Sequence, residues 1–204
     1  MLIRDIQAKH EDGQYRVQAE VAFETRPRQE TIFFSVPSEQ ADWIRPEPNA
    51  FMVGTAIAAM WNGENTLAIE GTVDPQLRTR LTIAMRLLTS WHKARCVQSI
   101  SWRQQRRALP DIPRSTTALF LSGGVDSLSA LYWNASQYQK GDPRRVSVAF
   151  FVHGLDVGDP NKPNRLDVWS LGIQTLSTLC QELEVELVTI KVPLEIRVGK
   201  LTSY

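Results

Sequence analysis

The stretch ALFLSGGVDSLSAL, residues 118–131, constrains this chain more than any other. A short apolar run stops at two glycines. An aspartate and a serine follow at once, and apolar residues then resume at helical spacing. A strand that leaves through Ser-Gly-Gly and enters a helix through Asp-Ser needs a sharp turn. Glycine has no Cβ, so backbone N–H groups in that turn can approach a neighbouring group closely. The successive amides and the helix N-terminus then present partial positive charge to one concavity. In a βαβ unit the ligand site lies at this place, past the C-terminal end of a strand. With the hydroxyls of Ser122 and Ser127 as further donors, Ser122, Gly123, Gly124, Val125, Asp126 and Ser127 read as a phosphate cradle.

Asp126 needs its own reason, because a carboxylate beside a phosphate is repulsive. Magnesium removes the conflict, since it is held by one or two carboxylates together with phosphate oxygens. The other reading is that Asp126 only caps the helix. Other phosphate and nucleophile motifs are absent: the chain has no G-x-x-x-x-G-K-[ST], no G-x-G-x-x-G, and no G-x-S-x-G around Ser122 or Ser127.

The residues after the loop alternate in type. A helix pattern begins at Asp126 and fades near QKGDP. RVSVAFFV is a second apolar run, and a helix follows through Leu166, Trp169, Ile173, Leu176 and Leu179. VELVTIKV is a third strand. Strands alternating with helices predict an α/β fold, with a parallel, Rossmann-like nucleotide-binding sheet over residues 116–204. Cys180 falls on the apolar side of its helix and is expected in the core.

The first third predicts a smaller α+β domain over residues 1–92. In QYRVQAEVAF, Tyr15, Val17, Ala19, Val21 and Phe23 share one face. Ile32, Phe34 and Val36 share another, and Leu2, Ile6 and Ala8 mark a third strand. Together they predict a small antiparallel sheet, closed at Pro37. Asn49 is the expected cap of a helix that stops at Asn62-Gly63. Asp74 caps a second helix with Pro75 at its first position. Leu77, Leu81, Ala84, Met85, Leu88 and Trp91 form its expected core stripe. Residues 93–115 read as a linker, rich in Lys93, Arg95, Arg103, Arg106, Arg107 and Arg114 and broken by Pro110 and Pro113.

Bulk properties exclude several classes. A formal net charge of +1 exerts no global pull toward nucleic acid or membrane. Cys96 and Cys180 cannot make a four-ligand zinc site, and His10, His92 and His153 are scattered. The N-terminus is charged from Arg4, unlike a signal peptide, and no apolar run reaches spanning length. The expectation is a cytoplasmic protein with no membrane partner.

SGGVDS between a strand and a helix resembles the signature loop of the PP-loop ATP pyrophosphatases, at all six positions. The resemblance implies an enzyme that binds ATP with magnesium. A substrate oxygen attacks the α-phosphate, pyrophosphate leaves, and a nitrogen or sulfur nucleophile then displaces AMP. It places Ser122, Gly123, Gly124 and Ser127 on the pyrophosphate and Asp126 on magnesium. Catalysis would rest on positioning and charge neutralisation.

FFVHGLDVG and the helix and strand after it resemble the 7-cyano-7-deazaguanine synthase branch, which has Asp-aromatic-Gly-Gln there. The likeness is loose at Asp156-Val157-Gly158-Asp159. The chain departs from that branch in having no four-cysteine cluster and in the long segment before the loop. His153 and Asp156, at a strand's C-terminal end, are expected to face the nucleotide or a small-molecule or nucleobase substrate. Asp159, Lys162 and Arg165 share that position.

The resemblance also sets an expectation of incompleteness. The third strand, VELVTIKV, is expected to be left with an open edge, so that the chain is a fragment or a partner completes the sheet. Two other readings stay open: a nucleotide-binding module that recruits a protein partner through its N-terminal domain, and an RNA-modifying enzyme. The second would use the basic linker, with Trp91 and Trp102 interleaved, to grip RNA.

Overall fold

A computed structural model describes residues 1–92, 99–105, 116–154 and 166–192. Along these residues run β1 (Leu2–Glu11), β2 (Gln14–Ala22), β3 (Gln29–Pro37), α1 (Pro48–Trp61), β4 (Thr66–Val73), α2 (Pro75–His92) and β5 (Ser99–Gln105). Then follow β6 (Thr117–Phe120), α3 (Val125–Gln137), β7 (Val146–His153), α4 (Leu166–Glu182) and β8 (Glu186–Lys191). The strands make one mixed sheet in the order β5-β4-β1-β2-β3-β8-β7-β6.

β1, β2 and β3 are an antiparallel meander, as their alternation predicts. Val17, Ala19, Val21, Ile32 and Val36 are buried. β1 departs from its predicted face. Its pairing with β2 shifts between Arg4 and Gln7, where Asp5 has a φ of 53°. The bulge changes the phase of the strand, so the core receives Met1 and Ile3 before it and Ile6 and Ala8 after it. β4 and β5 then add in parallel to β1, so this half is mixed rather than purely antiparallel. β5 lies within the span that reads as a linker; the linker's residues 93–98 and 106–115 lie outside the described residues.

The helix signals hold at two of three ends. Asn62 is the C-cap of α1, with Gly63 at a φ of 70°. Asp74 accepts the amide of Gln76 at 2.8 Å, and Pro75 opens α2. The exception is Asn49. Glu47 is the N-cap of α1, and the Asn49 side chain instead accepts the Asp74 amide at 3.0 Å, which ties one helix start to the other. In α2, Leu81 and Met85 are buried and Leu77 and Leu88 pack beside them. Ala84 and Trp91 are exposed, because the real stripe is narrower than the pattern implies.

β6, β7 and β8 are parallel. α3 and α4 cover one face of them, with Leu131, Trp169, Leu176 and Cys180 packed on Ala149 and Phe151. Burial raises the Cys180 thiol above its ordinary pKa, which fits a core role and not a nucleophile.

The expected open edge of β8 is occupied. β3 pairs with it antiparallel through Ser35 and Lys191. The 3-10 turn Ser38–Trp43 seals the seam: Gln40 donates to the Leu187 carbonyl at 2.9 Å and accepts the Thr189 amide at 3.4 Å. Trp43 donates to Glu186 at 2.8 Å and meets Phe150 edge-on. Val36, Val148 and Val188 are buried beneath. The N-terminal sheet therefore supplies the neighbour that β8 needs. No helix of the described residues is long and apolar enough to cross a membrane.

Candidate functional site

β6 is short and ends at Phe120, yet the next residue is firmly held. Leu121 is buried, and its amide donates to the Phe150 carbonyl on β7 at 2.8 Å. The chain then turns at once. Gly123 has a φ of 80°, a backbone region that side-chain-bearing residues seldom enter, so the turn selects glycine there. Gly124 is the N-cap of α3.

Ser122 through Asp126 are exposed. The Ser122 hydroxyl accepts the Gly124 amide at 3.3 Å and lies 3.2 Å from the Ser127 hydroxyl. Ser127 donates to the Gly124 carbonyl at 3.0 Å, and Leu128 N–H closes the first helical bond to the same carbonyl. The amides of Val125, Asp126 and Ser127 therefore precede the first intrahelical acceptor and point out of the helix end. Two hydroxyls and these donors lie together on one exposed turn.

Asp126 does not cap the helix. It is the second residue of α3, and no side chain makes the cap bond. Among the described residues its carboxylate has no hydrogen bond or ion pair, while its place in the first turn favours the helix dipole. An exposed, unengaged carboxylate beside phosphate-type donors is the donor set that a magnesium–polyphosphate complex needs. No protein-only cluster of three or more metal-binding side chains exists among the described residues, and magnesium bound through phosphates does not require one.

His153 lies at the same end of the sheet, one strand over. It is not a solvated loop histidine: it is 4% exposed and stacks on Trp169 at 4.4 Å, while Phe151 stacks on the same indole at 4.3 Å. Gly172 permits this packing, since a Cβ there would meet the Phe151 ring at 3.1 Å. Asp156, Asp159, Lys162 and Arg165 lie outside the described residues.

Two features escape a local reading of the sequence. One is Trp169, whose contact with His153 depends on how α4 lies on β7. The other is Gly154, with a φ of 102°, packed against Val192. Its only signal is a His-Gly pair at the end of an apolar run.

A second depression opens at the opposite end of β6 and β7, lined by Thr117, Lys140, Asp142, Arg145, Val146 and Glu184. Its charges are already engaged. Lys140 pairs with Glu184 at 2.5 Å, and hydrogen bonds from Arg144 hold the Asp142 carboxyl down at about 2. Arg145 donates to the carbonyls of Ala135 and Tyr138. The exposed loop offers free donors; this depression does not.

Compared with known proteins, the chain matches no protein-family model, no curated protein and no solved structure.

Proposed function

We propose that the turn after Leu121 receives the polyphosphate of ATP, and that the protein is an ATP-dependent ligase of the PP-loop pyrophosphatase type. The observation that carries this reading is the exposed turn itself. It has outward amides at Val125–Ser127, two hydroxyls 3.2 Å apart, and a carboxylate with no partner among the described residues. In this reading β6, α3, β7, α4 and β8 form a Rossmann-like nucleotide-binding unit, and the nucleotide lies past the strands' C-terminal ends.

The residues have separate roles. Gly123 gives the turn its hand, and Ser122, Gly124, Val125 and Ser127 present donors to the β- and γ-phosphates. Asp126 would hold magnesium, which would supply charge neutralisation for the pyrophosphate leaving group. A substrate carboxylate or carbonyl oxygen forms the new bond to the α-phosphorus as the bond to pyrophosphate breaks. A nitrogen or sulfur nucleophile then takes the activated carbon and releases AMP. His153 acts from its buried stack as support for the crevice, and Asp156 is a further contributor toward nucleotide or substrate. No nucleophilic side chain is required, because positioning and preorganised charge supply the catalysis.

Competition tests the reading. Inorganic pyrophosphate with magnesium is expected to displace labelled ATP, with an affinity within about tenfold of ATP itself, or about 1.4 kcal/mol. Adenosine should displace it poorly. Turnover with an acceptor should yield pyrophosphate and AMP. ATP that resists displacement by pyrophosphate, or turnover to ADP and orthophosphate, contradicts the proposal.

A further inference from the structure

The outward faces of α1 and α2 are apolar where the solvent side of a helix is ordinarily charged. α1 carries no charged side chain at all. Phe51, Met52, Ala56, Ala59 and Met60 face the core. Val53 and Ile57, one turn apart on the other side, are each about half exposed. A helix that is apolar all round is ordinarily buried all round.

α2 repeats the pattern. Leu81 and Met85 are buried, while Ile83, Leu87 and Trp91 follow one another at four-residue spacing along a different face. These three are 62%, 47% and 64% exposed, so their stripe is not the margin of the core. The two helices lie side by side and run the same way. At their starts the Asn49 side chain holds the Asp74 amide, and at their ends the Trp61 and His92 ring centroids are 6.0 Å apart. A single exposed apolar residue needs no explanation, but a row of them on two neighbouring helices marks a contact surface.

The charge around the stripe has one sign. Arg78, Arg80 and Arg86 are exposed, and α2 contains no carboxylate. Arg80 precedes Ile83 by three residues and Leu87 by seven, so helical spacing puts it within the stripe. It donates to Gln76 at 2.7 Å on its own helix. Among the described residues no acidic side chain pairs with any of the three arginines.

This charge selects the occupant. A second copy of the chain, packed on α2 about a two-fold axis, would set the flank that carries Arg86 against its own image, like charge on like charge. An anionic bilayer is ordinarily engaged by a denser basic cluster, on the order of four to eight residues, than these three arginines make.

We propose that this face docks an acidic amphipathic helix of a partner protein. Its apolar positions at i, i+3, i+4 and i+7 cover Val53, Ile57, Ile83, Leu87 and Trp91, and its flanking carboxylates pair with Arg80 and Arg86. The apolar contacts supply affinity, with Trp91 as the anchor, and the arginines supply selection among partners. The surface belongs to the β4 and β5 side of the sheet, at the opposite edge from β6 and its loop, so it is independent of what the loop binds.

The probe is a synthetic helix with leucine at i, i+3, i+4 and i+7 and glutamate elsewhere, labelled at one end, with a twin that carries lysine for every glutamate. Fluorescence anisotropy against the full chain reads both. The acidic peptide should bind at least about tenfold more tightly than its twin. Leu87→Ser with Trp91→Ser should weaken it by about tenfold or more. Both side chains are exposed, so the urea midpoint should stay where it is. Arg80→Glu with Arg86→Glu should invert the preference, so that the lysine peptide binds more tightly, a gain that unfolding cannot produce. Equal affinity for the two peptides, no binding of either, or binding that these substitutions leave unchanged overturns the inference. So does a dimer in sedimentation that Leu87→Ser dissociates, which would give the face to a second copy. Retention on phosphatidylserine vesicles that Arg80→Glu abolishes would give it to lipid instead, and overturns the inference equally.

Discussion

Gly154→Ala is expected to lower the unfolding free energy by about 3 kcal/mol or more, the sum of two costs of about 1–3 kcal/mol each. The first is conformational, since Gly154 has a φ of 102°. The second is steric. A Cβ built on Gly154 would lie 2.0 Å from the Val192 carbonyl oxygen, and that oxygen belongs to backbone. The backbone there cannot yield freely, because the Val192 amide donates to the His153 carbonyl at 2.9 Å just past the last β7–β8 pair, His153 with Lys191. An alanine must therefore push β8 away from β7 and disturb the His153–Trp169 stack.

Gly141→Ala separates the two costs. Gly141 has a φ of 85° but nothing within 4 Å of a built Cβ, so only the conformational part applies, about 1–2 kcal/mol. Urea unfolding followed by circular dichroism measures both. Equal midpoints for the two variants would contradict the close packing assigned to Gly154.

Asp126→Asn is expected to weaken magnesium–ATP binding at least tenfold, about 1.4 kcal/mol, and to leave magnesium-free AMP within about twofold. The amide keeps the size of the side chain but loses the charge that holds the cation. The substitution also removes a favourable charge from the first turn of α3, worth about 0.3–1 kcal/mol of stability. A slightly lower melting temperature is thus compatible with either role of the residue. The two ligands discriminate. If both bind equally well, or weaken alike, Asp126 serves the helix and not a metal–phosphate complex.

Much of this architecture was legible locally. The alternation in β2 and β3 marks their buried faces, and the Asp74-Pro75 and Asn62-Gly63 pairs mark helix ends through capping chemistry. The turn at Gly123 was legible because strand, glycines and helix follow one another directly. Local pattern fails where the decisive contact is distant. The phase of β1 depends on a bulge at Asp5 that no period-2 pattern contains. Asn49 has a cap-like side chain, but its partner is the Asp74 amide, 25 residues away.

The seam between β3 and β8 is set wholly by distant contacts. Gln40 finds Leu187 at a separation of 147 residues, and Trp43 finds Glu186 at 143. Both halves read as separate sheets because each has its own local rhythm, and their pairing leaves no trace in either.

The central claim is that the bend after Leu121 binds polyphosphate through its backbone amides. An amide-resolved nuclear magnetic resonance titration of the full chain with magnesium–ATP reads those groups directly. The amides of Gly123, Gly124, Val125, Asp126 and Ser127 are predicted to shift together and saturate with one dissociation constant, and inorganic pyrophosphate should reproduce their shifts. Saturable binding that leaves these five amides unmoved, while resonances of Lys140, Arg145 and Glu184 respond, would contradict the account.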